Sequence, residues 1–206
     1  MRKIKYFLIL FFLFYPAIPY TYCEIQRFDF IPEQSRITFF MQSTLHDFDG
    51  IAKEFDGFAE GDIEHIAETG KGSLKIKVKS MTTNHQKRDE YMMGDMEEGK
   101  YFFITFFLKS AKPSYVSEDK SKARLEITGD LEIHGTKKEV GIPVDVMTVD
   151  GRIHIIGQKE ISLKDFKVKP TSFLFLRVKD KMVIKFDIAG MKNDVLRNVE
   201  ANKKGN

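Results

Sequence analysis

Residues 80–108, SMTTNHQKRDEYMMGDMEEGKYFFITFFL, are where a run of alternating strands stops, makes one short helix and resumes. Thr83 followed by Gln86 fits a capping box, Gly94 is a ready left-handed terminator, and NHQKRDEYMM between them contains no Gly or Pro. The spacing predicts one helix of about ten residues. A helix so short is marginal alone in water and must lie on an apolar surface, with Tyr91, Met92 and Met96 as its apolar side. The surface on offer is the mouth of a barrel.

Outward from that helix the signal has period two. SLKIKVKS, residues 73–80, sets Leu74, Ile76 and Val78 against Lys75, Lys77 and Lys79, the pattern of an antiparallel strand with one wet face. Upstream, SRITFFMQ groups Ile37, Phe39 and Met41, and EFDGFAEGDIE groups Phe55, Gly57, Ala59, Gly61 and Ile63, where paired glycines imply bending or close approach. Downstream, Phe102, Ile104 and Phe106 alternate after the helix. KARLEITGDLEIHG aligns Leu125, Ile127, Leu131 and Ile133, and beyond a turn at Gly135 and Thr136, KKEVGIPVDV aligns Val140, Ile142, Val144 and Val146. Gly151 marks another turn, Ile153 and Ile155 continue the pattern, and MVIKFDIAG closes the domain with Ile184, Phe186 and Ile188.

About eight such strands are too many for an open sheet to leave its edges unprotected, so the expected fold is all-β, an extended antiparallel barrel, lipocalin-like, with one short helix at its mouth. A barrel of about eight strands is either filled by its own side chains or holds one small ligand. The inward set is aliphatic, Phe and Met, with no periodic acid or base, so an internal cavity would accept hydrocarbon. Periodicity alone leaves filled and liganded barrels both open.

With 206 residues, 42% of them hydrophobic, the chain is expected to build one core. Arg2, Lys3 and Lys5, then an apolar run from Tyr6 to Tyr15 broken by Pro16 and Pro19, read as a secretory signal over residues 1–23, too short for a membrane span. The domain then occupies residues 24–190, and residues 191–206 form a weakly ordered tail. Those three basic residues account for the excess of 33 Lys and Arg over 30 Asp and Glu, so the exported domain is formally neutral and has no electrostatic claim on nucleic acid. The expected location is the periplasm. Cys23, the only cysteine, raises lipid anchoring, but Tyr22 is bulkier than a lipobox accepts.

Catalytic patterns are missing. His46, His65, His85, His134 and His154 have neither metal-site spacing nor cysteine partners, and there is no G-x-S-x-G or phosphate loop. His85 and Asp89 stand four apart on the helix, which suits acid–base work but more simply a helix-face pair. The expectation is a binding protein without cofactor or metal.

SMTTNHQKRDEYM, then GDLEIHGTKKEVGIPVDV, then ISLKDFKV and VKDKMVIKFDIAG resemble the YceI-like family of exported bacterial proteins over essentially the whole domain. The resemblance rests on a T-x-N and an Arg88–Asp89 pair at the helix, followed by the G-D-L-x-I-H-G hairpin at Gly129–Gly135. It implies a barrel that binds a polyisoprenoid or similar long-chain lipid, often as a homodimer, with no catalytic residues. The lining expected from the inward-facing pattern and the apolar side of the helix is Ile37, Phe39, Met41, Leu74, Ile76, Val78, Tyr91, Met92, Met96, Phe102, Ile104, Phe106, Ile127, Leu131, Ile133, Ile142 and Val144. Asn84, Arg88 and Asp89 would stand at the mouth, where Arg88 either holds a polar head or ties the helix to the strand ends. Met96 and Glu97 stand where the family usually has aromatics, and Phe102 where it often has Pro after Tyr101. Two other readings remain: a filled barrel acting through protein contacts, and an enzyme acting on the bound lipid.

Overall fold

The computed structural model describes residues 24–44, 46–171 and 178–193. The expected leader, Cys23 and the tail beyond Asn193 lie outside the described residues. Eleven strand segments form a single antiparallel sheet: β1 (Gln26–Phe30), β2 (Arg36–Ser43), β3 (Phe48–Ala52), β4 (Phe55–Gly61), β5 (Lys71–Lys77), β6 (Met81–Thr82), β7 (Phe103–Val116), β8 (Lys122–Ile133), β9 (Thr136–Val149), β10 (Arg152–Ser162) and β11 (Val178–Lys192). β1 and β2 are one strand broken by a 3-10 turn at Pro32–Gln34, and both lie along β11: Phe28 faces Lys192, and Ile37 faces Phe186. Likewise β4 pairs with β1 while β3 pairs with β2, and β5 pairs with β4 while β6 pairs with β3. Eleven segments thus act as eight strands, and the β1–β11 pairing closes the sheet into a barrel. Closure removes the free edges that an open sheet would expose.

Two hairpins turn on paired left-handed residues, His134–Gly135 between β8 and β9 and Asp150–Gly151 between β9 and β10. These are the primed two-residue turns that suit strand twist. The first lies one residue earlier than Gly135 and Thr136. Gly135 is needed there twice over: its φ is +66°, and a Cβ would come within 2.4 Å of the Tyr101 ring.

The helix between strands is α2 (Gln86–Asp95); a short α1 (Ile66–Thr69) precedes β5. The N-cap of α2 is His85, whose Nδ1 accepts from the Arg88 amide at 3.3 Å, and not Thr83. Gly94 lies inside the helix, which ends at Met96 before a left-handed Glu97. β5 stops one residue short of Val78, which opens a 3-10 turn and is fully buried. β11 runs two residues past the expected boundary at Gly190, since Met191 still faces Asp29 and Lys192 still faces Phe28.

The interior has two apolar clusters. One, around Val78, Met96, Ile133, Ile161, Leu163 and Phe166, occupies the end where β8 and β10 finish. The other, around Phe28, Ala123, Leu125, Val144, Val146 and Ile153, occupies the end where they begin. At the first end α2, the turn after it, and a 3-10 segment Leu163–Phe166 fold inward, with Met96, Leu163 and Phe166 buried. The expected helix therefore does cap an end of the barrel, and it is the filled end.

Candidate functional site

Between these clusters runs a cavity of about 640 Å³, walled by every long strand. Eleven residues of the expected lining stand on its wall: Ile37, Phe39, Leu74, Ile76, Ile104, Phe106, Ile127, Leu131, Ile133, Ile142 and Val144. Six do not. Met41, Val78 and Met96 are buried in the filled end, and Met92 packs against that cluster from α2. Tyr91 and Phe102 are exposed on the outside, at 42% and 53% of their surface, because neither continues the inward register of a strand. Phe28, Ala111, Ala123, Leu125, Val146 and Ile153 complete the wall at the other end.

Three phenylalanines explain how a barrel so rich in aromatics stays hollow. The rings of Phe39, Phe106 and Phe186 cover Gly50, Gly129 and Gly157, where a Cβ would fall 2.2, 2.4 and 2.6 Å from the ring. Each ring lies over backbone that has no side chain of its own, so it lines the wall and leaves the middle free. The sequence signal was a glycine opposite a Phe, as at Gly50 and Gly157, or diagonal to one, as at Gly129, visible only once strands are paired.

The cavity opens at the end away from α2. Its rim carries Gln26, Asp62, Glu64, Lys71, Asp119, Lys120 and Ser121, with Ile63 and Ile66 turned in beneath them. Ile63 does not continue a strand as expected; it starts a 3-10 turn, Ile63–His65, whose N-cap Asp62 accepts from the Glu64 amide at 3.0 Å. The rim charges are paired. Lys120 reaches Glu64 at 2.7 Å across the opening, and Lys71 and Arg27 share Glu60 at 3.5 Å each. Hydrogen bonds from Ser117 and Ser121 hold the Asp119 carboxyl down at about 2.

Asn84, Arg88 and Asp89 are absent from this rim. Asn84 and Arg88 line a separate polar recess on the outer surface with Arg36, Asp47, Asp49 and Thr83. Asp89 accepts from Thr82 Oγ1 at 2.6 Å, Thr83 N at 2.8 Å and Thr83 Oγ1 at 2.6 Å. Burial works against its charged form, but those bonds and the adjacent Arg88 outweigh it and hold the carboxyl below the usual carboxylate range. Arg88 Nε donates to Thr83 Oγ1 at 2.9 Å, and the guanidinium lies 4.3 Å from the Phe48 ring centre. These bonds tie α2 to Thr82 and Thr83 at the end of β6. His85 is engaged as the helix cap, and no hydrogen bond joins its side chain to Asp89 among the described residues.

One wall residue below the rim carries a charge. Along β10 the inward positions are Ile153, Ile155, Gly157, Lys159 and Ile161, so Lys159 sits in the inward register and on the cavity wall. Extending the period past Ile155 would have found it. Among the described residues there is no cluster of three His, Cys, Asp or Glu fit for a metal, and no helix long and apolar enough to cross a membrane.

Comparison with known proteins agrees with this architecture. A family model for the YceI-like domain matches residues 28–190. A UPF0312 protein of Vibrio campbellii is 31% identical over 122 residues, 55% of this chain and 61% of that protein. Protein YceI of Escherichia coli O157:H7 is 30% identical over 128 residues, 58% and 63% of the two chains. The match thus spans about three fifths of these curated relatives. Among solved structures, BcnA of Burkholderia cenocepacia superposes with a TM-score of 0.68 at 21% identity, covering 78% of this chain and 98% of that one. A polyisoprenoid binding domain from Saccharophagus degradans, implicated in plant cell wall breakdown, superposes at 0.64 with 14% identity, covering 80% and 98%. At these identities the likeness is one of fold.

Proposed function

The chain belongs to the YceI-like family, and from that premise we propose that it is an exported binding protein that holds a polyisoprenoid or similar long-chain lipid inside its barrel. The observation that carries the reading is the cavity of about 640 Å³ with a mainly apolar wall beneath a polar rim. At about 30 Å³ for each carbon-sized group, on the scale of water's share of liquid volume, it takes on the order of 20 carbons. At roughly 0.3 kcal/mol per heavy atom such a chain gains about 6 kcal/mol, a dissociation constant of tens of micromolar before any polar contact. The structural neighbour named for polyisoprenoid binding supports the choice of lipid.

Binding without chemistry is part of the proposal. His85 and Asp89, the pair with the best spacing for acid–base work, are committed to the helix cap and to Thr82 and Thr83 outside the cavity. Export to the periplasm through residues 1–23, with Cys23 as a minor anchoring site, and pairing into a homodimer complete it. Native mass spectrometry of protein purified from its own cells tests the reading. A bound lipid of about 20 carbons or more, released by solvent extraction, is expected. Protein that carries none and takes up none from prenol vesicles would favour a barrel that acts through protein contacts.

A further inference from the structure

Lys159 stands on the cavity wall with no hydrogen-bond or ion-pair partner among the described residues. Its neighbour across the ladder is Ile184, which in turn faces Phe39, and both line the cavity. The next inward residue, Ile161, already belongs to the filled end. Lys159 is therefore at the bottom of the hollow, about 20 Å along β10 from Ile153 at a strand rise of about 3.4 Å per residue. An ammonium on an apolar wall is costly unless water or an anion reaches it. Lys159 lies just beyond the end of the β9–β10 ladder, which runs from Val149–Arg152 to Val144–Gly157, and its side chain is half-buried.

We infer that Lys159 is the headgroup contact of the cavity and that it selects a long-chain amphiphile with one carboxylate. This rests on the lipid-binding reading and deepens it. The rim lysines, Lys71 and Lys120, are already neutralised by Glu60 and Glu64, which leaves Lys159 as the unpaired cation on the wall among the described residues. One ammonium balances one negative charge, so a carboxylate fits and a diphosphate would bury charge uncompensated. The ammonium donates to the carboxylate oxygens while the chain runs up the barrel toward Ile153.

The test is equilibrium dialysis of the full chain with three probes of equal length: geranylgeranoic acid, geranylgeraniol and geranylgeranyl diphosphate. The acid is expected to bind at least about tenfold more tightly than the alcohol, the scale of a hydrogen bond to a charged group, and more tightly than the diphosphate. Lys159→Met, which keeps the length and apolar stem of the side chain, should erase that preference, bringing the acid's affinity to within about twofold of the alcohol's for the same variant. Acid and alcohol binding alike, a preference that survives Lys159→Met, or a diphosphate that binds best would each overturn the assignment while leaving the lipid-binding reading intact. If none of the three binds, both fall together.

Discussion

The two halves of the barrel interior are built from the same residue types, yet one is solid and the other hollow. At the solid end, chain that belongs to no strand folds inward: Met96 follows α2, Leu163 and Phe166 come from a 3-10 segment, and Val78 from another. At the hollow end the wall is made of strand residues, short ones such as Ala111, Ala123 and Val144 among them, non-strand chain reaches in only at the mouth through Ile63 and Ile66, and the rings of Phe39, Phe106 and Phe186 are folded onto glycines. Whether a barrel of this size is filled depends on the segments inserted between its strands. The hydrophobicity of the strands does not decide it.

The sharpest way to break this contrast is to truncate one residue in each half. Phe166, 2% exposed, should cost about 3–5 kcal/mol as Phe166→Ala, because its removal opens a void in close-packed surroundings. Ile127→Ala, on a wall that already faces empty space, should cost about 2 kcal/mol or less. Urea denaturation measures both, and equal losses would mean that the halves are packed alike.

A smaller effect separates helix anchoring from ligand binding. Asp89→Ala removes three accepted hydrogen bonds at the solid end and should lower stability by about 1–3 kcal/mol, with affinity for a C20 prenol unchanged. Because its folded-state pKa lies below the ordinary value, the stabilisation is present above that ordinary value and is lost as pH falls through the depressed one. The acid limb of the wild-type stability profile should therefore be steeper than that of Asp89→Asn. A loss of prenol affinity in a folded Asp89 variant would instead restore this pair to the binding site.

The smallest effect sharpens the account of the hollow half. The three nearest atoms to a Cβ on Gly50 all belong to the Phe39 ring, the first at 2.2 Å, so Gly50→Ala should swing that ring into the cavity and weaken prenol binding a few-fold with little change in stability. Unchanged affinity, read by the same dialysis, would show that the ring has room elsewhere.

The barrel itself was legible in the sequence because period-two patterning fixes which face of each strand is buried, and β2, β5, β8, β9 and β11 largely follow it. The wall residues from Ile37 to Val144 came from the same signal. What periodicity does not carry is depth along the barrel. Met41 and Val78 share a face with Phe39 and Ile76 and differ from them only in lying toward the solid end, a difference set by α2 and by the Leu163–Phe166 segment far away in the chain. Nor does it say which end of the barrel opens. The helix was the conspicuous interruption, whereas the actual rim is made of turns at Asp62–Glu64 and Asp119–Ser121 with no periodicity of their own. Lys159 escaped because the pattern was followed only through Ile155, before the one position where its polarity changes.

The most direct test of a hollow, lipid-accepting half is methyl NMR of Ile, Leu and Val labels during titration of the full chain with geranylgeraniol. Saturable shifts are expected at Ile127, Val144 and Ile153 on the open wall, with Ile161, Leu163 and Val168 of the solid end nearly still. Shifts confined to outward residues such as Val149 and Ile156, with the wall methyls unmoved, would contradict the account.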